Sequence, residues 1–291
     1  METFIADDGE RLKLRITGNG TPLILLHGWT SSHSVWNPLL EILQQHHRVF
    51  CPDARGHAGH ALLVSQTPDV RRLARDVRNL MDHFELEQAA VAGHSMGALT
   101  LWQFIRDYGC GRFSHLCIID QSPRLVTDAT WAHGIYGDFD AARSQRLLDD
   151  LESDFAEAVL RLIAYSLNAK SRETYDRDSR GWQQSRQNLR KLAAGPLISI
   201  WKSLVAADFR DVLPAIDIPT LLVWGAASNF YTLDTARFLL DHISAAQLHS
   251  YEGADHCPQL QEPERFAREL TTFVRSGPDS RMSSLPICES R

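Results

Sequence analysis

The stretch Ala89-Ala90-Val91-Ala92-Gly93-His94-Ser95-Met96-Gly97-Ala98 decides how the chain is read. Its first four residues make a short apolar strand that can be buried on both faces. Residues 98–108 then carry apolar side chains at helical spacing. Between the two, Gly93-x-Ser95-x-Gly97 sets a serine on a sharp strand-to-helix turn, with its hydroxyl above the carboxyl end of the strand. Residues two before and two after that serine approach neighbouring backbone, so Gly93 and Gly97 are needed for want of a Cβ. The helix that follows aims its first N–H groups at the same spot, which favours developing negative charge.

On the amino-terminal side, residues 3–6 and 12–16 are β-prone runs joined by Asp7-Asp8-Gly9, a hairpin signal. Residues 22–26 form an apolar run suited to a buried strand, and residues 48–53 form the next strand. Helical spacing appears at Val35, Leu39, Leu40, Ile42 and Leu43, and again over residues 70–84. On the carboxyl side, strands are expected at 116–119, 220–224 and 246–251, with helices at 234–242 and 263–274. Pro263 stands at the first turn of its helix, where proline is favoured. Strands that alternate with helices imply right-handed crossovers and a mostly parallel sheet. Between residues 124 and 214 the β signal vanishes. Three helical stripes replace it: Leu147 to Ile163; Trp182, Leu189 and Leu192; and Leu197, Trp201 and Leu204.

Composition narrows the classes. The chain has 291 residues, of which 44% are hydrophobic and 23% charged, enough apolar material for a sizeable core and unlike a disordered or fibrous chain. A net charge of -6 offers no basic field for nucleic acid or an anionic membrane. No apolar run approaches the roughly 20 residues that a spanning helix needs. The acidic start, Met1 to Asp8, lacks the basic and apolar regions of a signal peptide. Cys51, Cys110, Cys117, Cys257 and Cys288 are odd in number and form no C-x-x-C pair, so reduced thiols and a cytoplasmic location are expected. His46-His47 and the His57/His60 pair lack the further ligands of a zinc site, and no metal is expected.

At this point the chain resembles the α/β-hydrolase superfamily over nearly its whole length. His27-Gly28-Trp29 follows the 22–26 strand where that family places its oxyanion loop. Asp53-Ala54-Arg55-Gly56-His57 resembles its D-x-R-G-H segment, and Gly253-Ala254-Asp255-His256 its G-x-x-H, followed by Pro263-Glu264-Arg265-Phe266. The resemblance implies a mostly parallel eight-stranded sheet flanked by helices. It divides the chain into a core (1–123 and 215–275) and an inserted helical lid (124–214), and residues 276–291 read as a flexible tail.

The resemblance also assigns roles. Ser95 is the nucleophile and His256 the base that a weakly nucleophilic hydroxyl requires. The backbone N–H groups of Trp29 and Met96 form the oxyanion hole, and Arg55 and His57 are expected to shape the oxyanion loop. Most relatives carry the acid in G-x-x-D after the strand at 220–224, where this chain reads Gly225-Ala226-Ala227-Ser228-Asn229. Other relatives place it one strand earlier, and here that strand ends in Asp120, which is therefore taken as the acid. Trp29, Trp131, Tyr136, Trp182 and Trp201 are candidates for the pocket wall.

The expected activity is cofactor-independent hydrolysis of an ester, lactone or thioester of a small to medium, largely apolar substrate. Carbon–carbon bond hydrolysis, perhydrolysis or cofactor-free oxygenation would use the same residues. A small-molecule receptor with slow turnover is the alternative from another class.

Overall fold

The computed structural model describes residues 1–59, 62 and 67–275. An amino-terminal hairpin, β1 (Glu2–Ile5) and β2 (Arg11–Thr17), turns at Gly9, whose φ of 86° suits a residue without a Cβ. Next come β3 (Thr21–Leu26), a 3₁₀ turn (His33–Trp36), α1 (Asn37–Leu43) and β4 (His47–Pro52). The helical spacing that begins at Val35 is thus split, with Pro38 opening α1. The sheet then runs through α2 (Val70–His83), β5 (Ala89–His94), α3 (Met96–Tyr108) and β6 (Phe113–Ile119).

Five helices separate β6 from the next strand in the chain: α4 (Ala141–Ser153), α5 (Phe155–Ala164), α6 (Ala169–Asp176), α7 (Arg180–Leu189) and α8 (Ala194–Ala206). The Leu147-to-Ile163 stripe is broken at Asp154, whose carboxylate accepts the Glu157 N–H and caps α5. This excursion leaves and returns at one place, where the Phe209 N–H donates to the Pro123 carbonyl at 2.9 Å. The chain ends its described part with β7 (Thr220–Gly225), α9 (Leu233–His242), β8 (Ala246–Tyr251), α10 (Pro258–Gln261) and α11 (Pro263–Arg275). The 276–291 segment and His60 lie outside the described residues.

The eight strands form one sheet in the order β1-β2-β4-β3-β5-β6-β7-β8, with β2 antiparallel to both neighbours and β3 to β8 parallel. Alternation along the strands sorts their side chains. Ile24 and Leu26 of β3 pack with α2, α3 and the inserted helices, while Leu23 and Leu25 pack with α1 and α11. Burying each large apolar side chain contributes about 1.5–3 kcal/mol. The parallel strands all end at one edge, so the loops after β3, β5, β6, β7 and β8 converge there.

Candidate active site

Ser95 stands between β5 and α3 with φ 53° and ψ -117°, a backbone conformation that a residue with a side chain rarely adopts. The turn is tight enough to exclude methyl groups on both sides. A Cβ on Gly93 would lie 2.5 Å from the Gly97 carbonyl carbon, and one on Gly97 would lie 2.3 Å from the Leu26 oxygen. Met96 opens α3, whose first N–H groups have no partner within the helix.

Asp120 directly follows β6 in a second strained conformation, φ 45°, and is fully buried. Its carboxylate is surrounded by donors. The imidazole Nδ1 of His256 lies 2.9 Å from Oδ1, the Ser228 hydroxyl donates to Oδ1 at 2.7 Å, and the Gly225 N–H donates to Oδ2 at 2.9 Å. Arg124 instead pairs with Asp128, and Asp255 accepts the Cys257 N–H, so neither competes for this position. Ser228 occupies the place of the acid in G-x-x-D. It turns that position into a donor to the carboxylate one strand away.

The loop carrying His256 follows β8 and is braced from three sides. A Cβ on Gly225 would lie 1.9 Å from the Asp255 oxygen, so only glycine lets β7 approach so closely. The Phe230 ring meets the His256 ring edge-on at 4.5 Å, and His94 Nε2 donates to the His256 carbonyl at 2.9 Å. Burial, reinforced by the nearby His256, pushes the His94 pKa down to about 3, so this ring stays neutral. Sequence reading did not single out His94 or Ser228. Their residue types fit a solvated turn as well as a brace, and only the convergence of loops reveals the contacts.

Behind the first loop, His27 accepts the Ala54 N–H at Nε2, and its Nδ1 donates to the Gly28 oxygen. His57 packs edge-on against that ring at 5.1 Å. Arg55 enters this arrangement through its backbone only: its carbonyl accepts from His57 Nδ1 at 3.1 Å. Its guanidinium is buried in ion pairs with Asp76 of α2 and Asp8 of the hairpin turn, so the side chain joins those two elements rather than the loop after β3.

Ser95 and His256 line one cavity of about 200 Å³, together with Trp29, Met96 and Trp201. The Trp29 indole donates to the Leu197 oxygen of α8 and packs 4.6 Å from Trp201, tying the loop after β3 to the inserted helices. Trp182 lies instead in an adjacent groove that shares Thr30, Val159 and Ile163 with the cavity. Two of the candidate wall aromatics face other surroundings. Trp131 donates to the Arg124 oxygen and packs on Phe238, while Tyr136 bonds the Leu162 oxygen and stacks one layer behind Phe230. Cys257 also lines the cavity, but burial raises its thiol pKa and keeps it protonated. Among the described residues, no group of three or more His, Cys, Asp or Glu could hold a metal ion.

A sequence profile described as the alpha/beta hydrolase family matches residues 23–269. The chain belongs to that family. Among curated proteins, a hydrolase relative named 3-oxoadipate enol-lactonase 1, from Acinetobacter baylyi, is 26% identical over 92% of this chain and 94% of its own length. A pimeloyl-[acyl-carrier protein] methyl ester esterase from Vibrio vulnificus is 25% identical over 88% and 95%. Among solved structures, an esterase from Exiguobacterium antarcticum superposes with a TM-score of 0.81 at 21% identity, covering 95% of this chain and all of that one. The alpha/beta hydrolase fold is therefore shared along nearly the whole chain, and no helix among the described residues is long and apolar enough to cross a membrane.

Proposed function

We propose that this alpha/beta hydrolase is a serine hydrolase that cleaves a carboxylic ester, lactone or thioester of a small to medium, largely apolar substrate. The observation that carries this reading is the 2.9 Å contact of His256 Nδ1 with the buried Asp120 carboxylate, in a cavity that His256 shares with the strained Ser95. With Nδ1 engaged by Asp120, Nε2 is left to accept the Ser95 proton. Ser95 Oγ attacks the carbonyl carbon, and the N–H groups of Trp29 and Met96 stabilise the resulting oxyanion. His256 then protonates the leaving group, and the acyl group stays on Ser95. Water deprotonated by the same imidazole attacks the acyl-enzyme, releasing the acid and restoring the serine. Asp120 holds the imidazole tautomer and stabilises the imidazolium.

Relatives named as an enol-lactonase and a methyl ester esterase support the ester and lactone part of the reading. We read residues 1–123 and 215–275 as the catalytic core and 124–214 as a lid, whose α5 and α8 supply Val159, Leu162, Trp201 and Leu204 to the cavity. Buried free thiols at Cys51, Cys110 and Cys117 fit the reducing cytoplasm, and we place the protein there.

Steady-state hydrolysis of a p-nitrophenyl ester series tests the assignment. Wild type is expected to turn over short and medium acyl esters, Ser95→Ala to be inactive, and Asp120→Asn to lose about 10⁴-fold in kcat. Near wild-type turnover in Asp120→Asn would show that the acid lies elsewhere.

A further inference from the structure

Most of the cavity beside Ser95 is apolar, walled by Leu99, Leu125, Val159, Leu162, Trp201 and Leu204. Gln121 and Tyr231 break that pattern. Both line the cavity, and only 1% and 4% of their surfaces are exposed. Gln121 follows the acid at the end of β6, and Tyr231 follows the turn that Ser228 closes after β7. The Gln121 amide Nε2 donates to the Tyr231 phenol oxygen at 2.9 Å and to the Ser122 carbonyl at 2.8 Å. The phenol oxygen is thus an acceptor toward the protein. The Ser122 backbone also bonds the phenol, lowering its pKa as a donor to the oxygen does, and no hydrogen bond found among the described residues is donated by the phenol itself; a buried donor in that condition is costly unless something in the cavity takes its proton.

The chemistry of the missing acceptor follows from its neighbours. Burial raises the Tyr231 pKa, so the phenol remains a neutral donor. Among the described residues lining the cavity there is no Lys, Arg, Asp or Glu, and His94 is neutral. A carboxylate placed beside the phenol would be a buried charge without a partner, whereas a carbonyl, ether or hydroxyl oxygen would carry no such cost.

We infer that Tyr231, oriented by Gln121, is a specificity-determining donor that binds a neutral oxygen on the substrate, so that oxygen-bearing substrates are preferred over their plain hydrocarbon counterparts. The inference rests on the cavity being the substrate site of the proposed hydrolase. It adds no covalent step, and the phenol keeps its proton throughout.

Two matched pairs of esters test it: 3-oxobutanoate against butanoate esters of one alcohol, and 2-methoxyethyl against butyl esters of one acid. The readout is the ratio of kcat/KM within a pair, in which any general loss of activity cancels. Tyr231→Phe is expected to lower the preference for the oxygen-bearing member by about tenfold in one of the two series, the scale of a single hydrogen bond. Gln121→Met, which frees the phenol to turn, should lower the same ratio. Ratios unchanged in both series and both variants overturn the inference. A second readout separates its failure from that of the hydrolase reading. Binding of 2-hexanone and of 1-hexene to Ser95→Ala is followed by tryptophan fluorescence, with and without Tyr231→Phe. Preference for the ketone that disappears with the phenol supports Tyr231 even if no ester is turned over. Equal binding of both ligands before and after the substitution overturns it.

Discussion

Ser228 shows how one residue can change the role of a position without leaving the site. In G-x-x-D that position would hold a carboxylate, but here its hydroxyl donates to Asp120 at 2.7 Å while accepting the N–H groups of Phe230 and Tyr231. Asp120 is fully buried, and the donors from Ser228 and Gly225 fix the direction in which its carboxylate faces His256. In the proposed hydrolase, Ser228 is accordingly a positioning residue that acts through Asp120. A hydrogen bond to a charged group contributes about 1.5–3 kcal/mol. Ser228→Ala is therefore expected to lower kcat by about tenfold to a hundredfold with little change in KM, and Ser228→Thr to retain most of it. Unaltered kcat in a folded Ser228→Ala protein would reduce Ser228 to a turn residue.

At the scale of elements, the sheet was legible because its strands are short apolar runs between helical periods. The serine turn was legible because Gly93 and Gly97 leave one backbone path for it. What periodicity could not supply was the exact reach of each element. β6 starts at Phe113, before the apolar run at Leu116, because Ser114 and His115 hide its first residues among polar ones. Helix α6 has no buried residue, so no stripe announced it. Gly225 and Gly253 look alike in sequence. Yet a Cβ at Gly225 would strike the Asp255 oxygen, whereas one at Gly253 would meet nothing within 4 Å. That difference arises from loops 30 residues apart in the chain meeting at the sheet edge, which local sequence does not encode. The site was legible in the same uneven way. Ser95 and His256 are candidates from motifs and Asp120 from the end of its strand, while the contacts of His94, Ser228, Gln121 and Tyr231 depend on loops that meet only in the fold.

For the whole molecule, buried imidazoles contribute to the response to acid. Burial pushes His57 and His94 down to about 3 and His47 to about 4, and it lowers His27 as well, from an ordinary value of 6.5. Above pH 6.5 these rings are neutral in both the folded and the unfolded chain. As pH falls from 6.5 toward 3–4, the unfolded chain takes up protons that the folded rings refuse, so stability is lost across that window. The midpoint of urea unfolding is expected to be lower at pH 4.5 than at pH 7. An unchanged midpoint would mean that these rings are not held neutral by the fold.

If Ser95 is an activated nucleophile, as proposed, covalent capture will mark it. Wild type and Ser95→Ala are treated with a fluorophosphonate, then analysed by intact mass and peptide mapping. One adduct per chain is expected on wild type, mapped to Ser95, and none on the variant. Folded wild-type protein that stays unlabelled, or that is labelled at another residue, would contradict it.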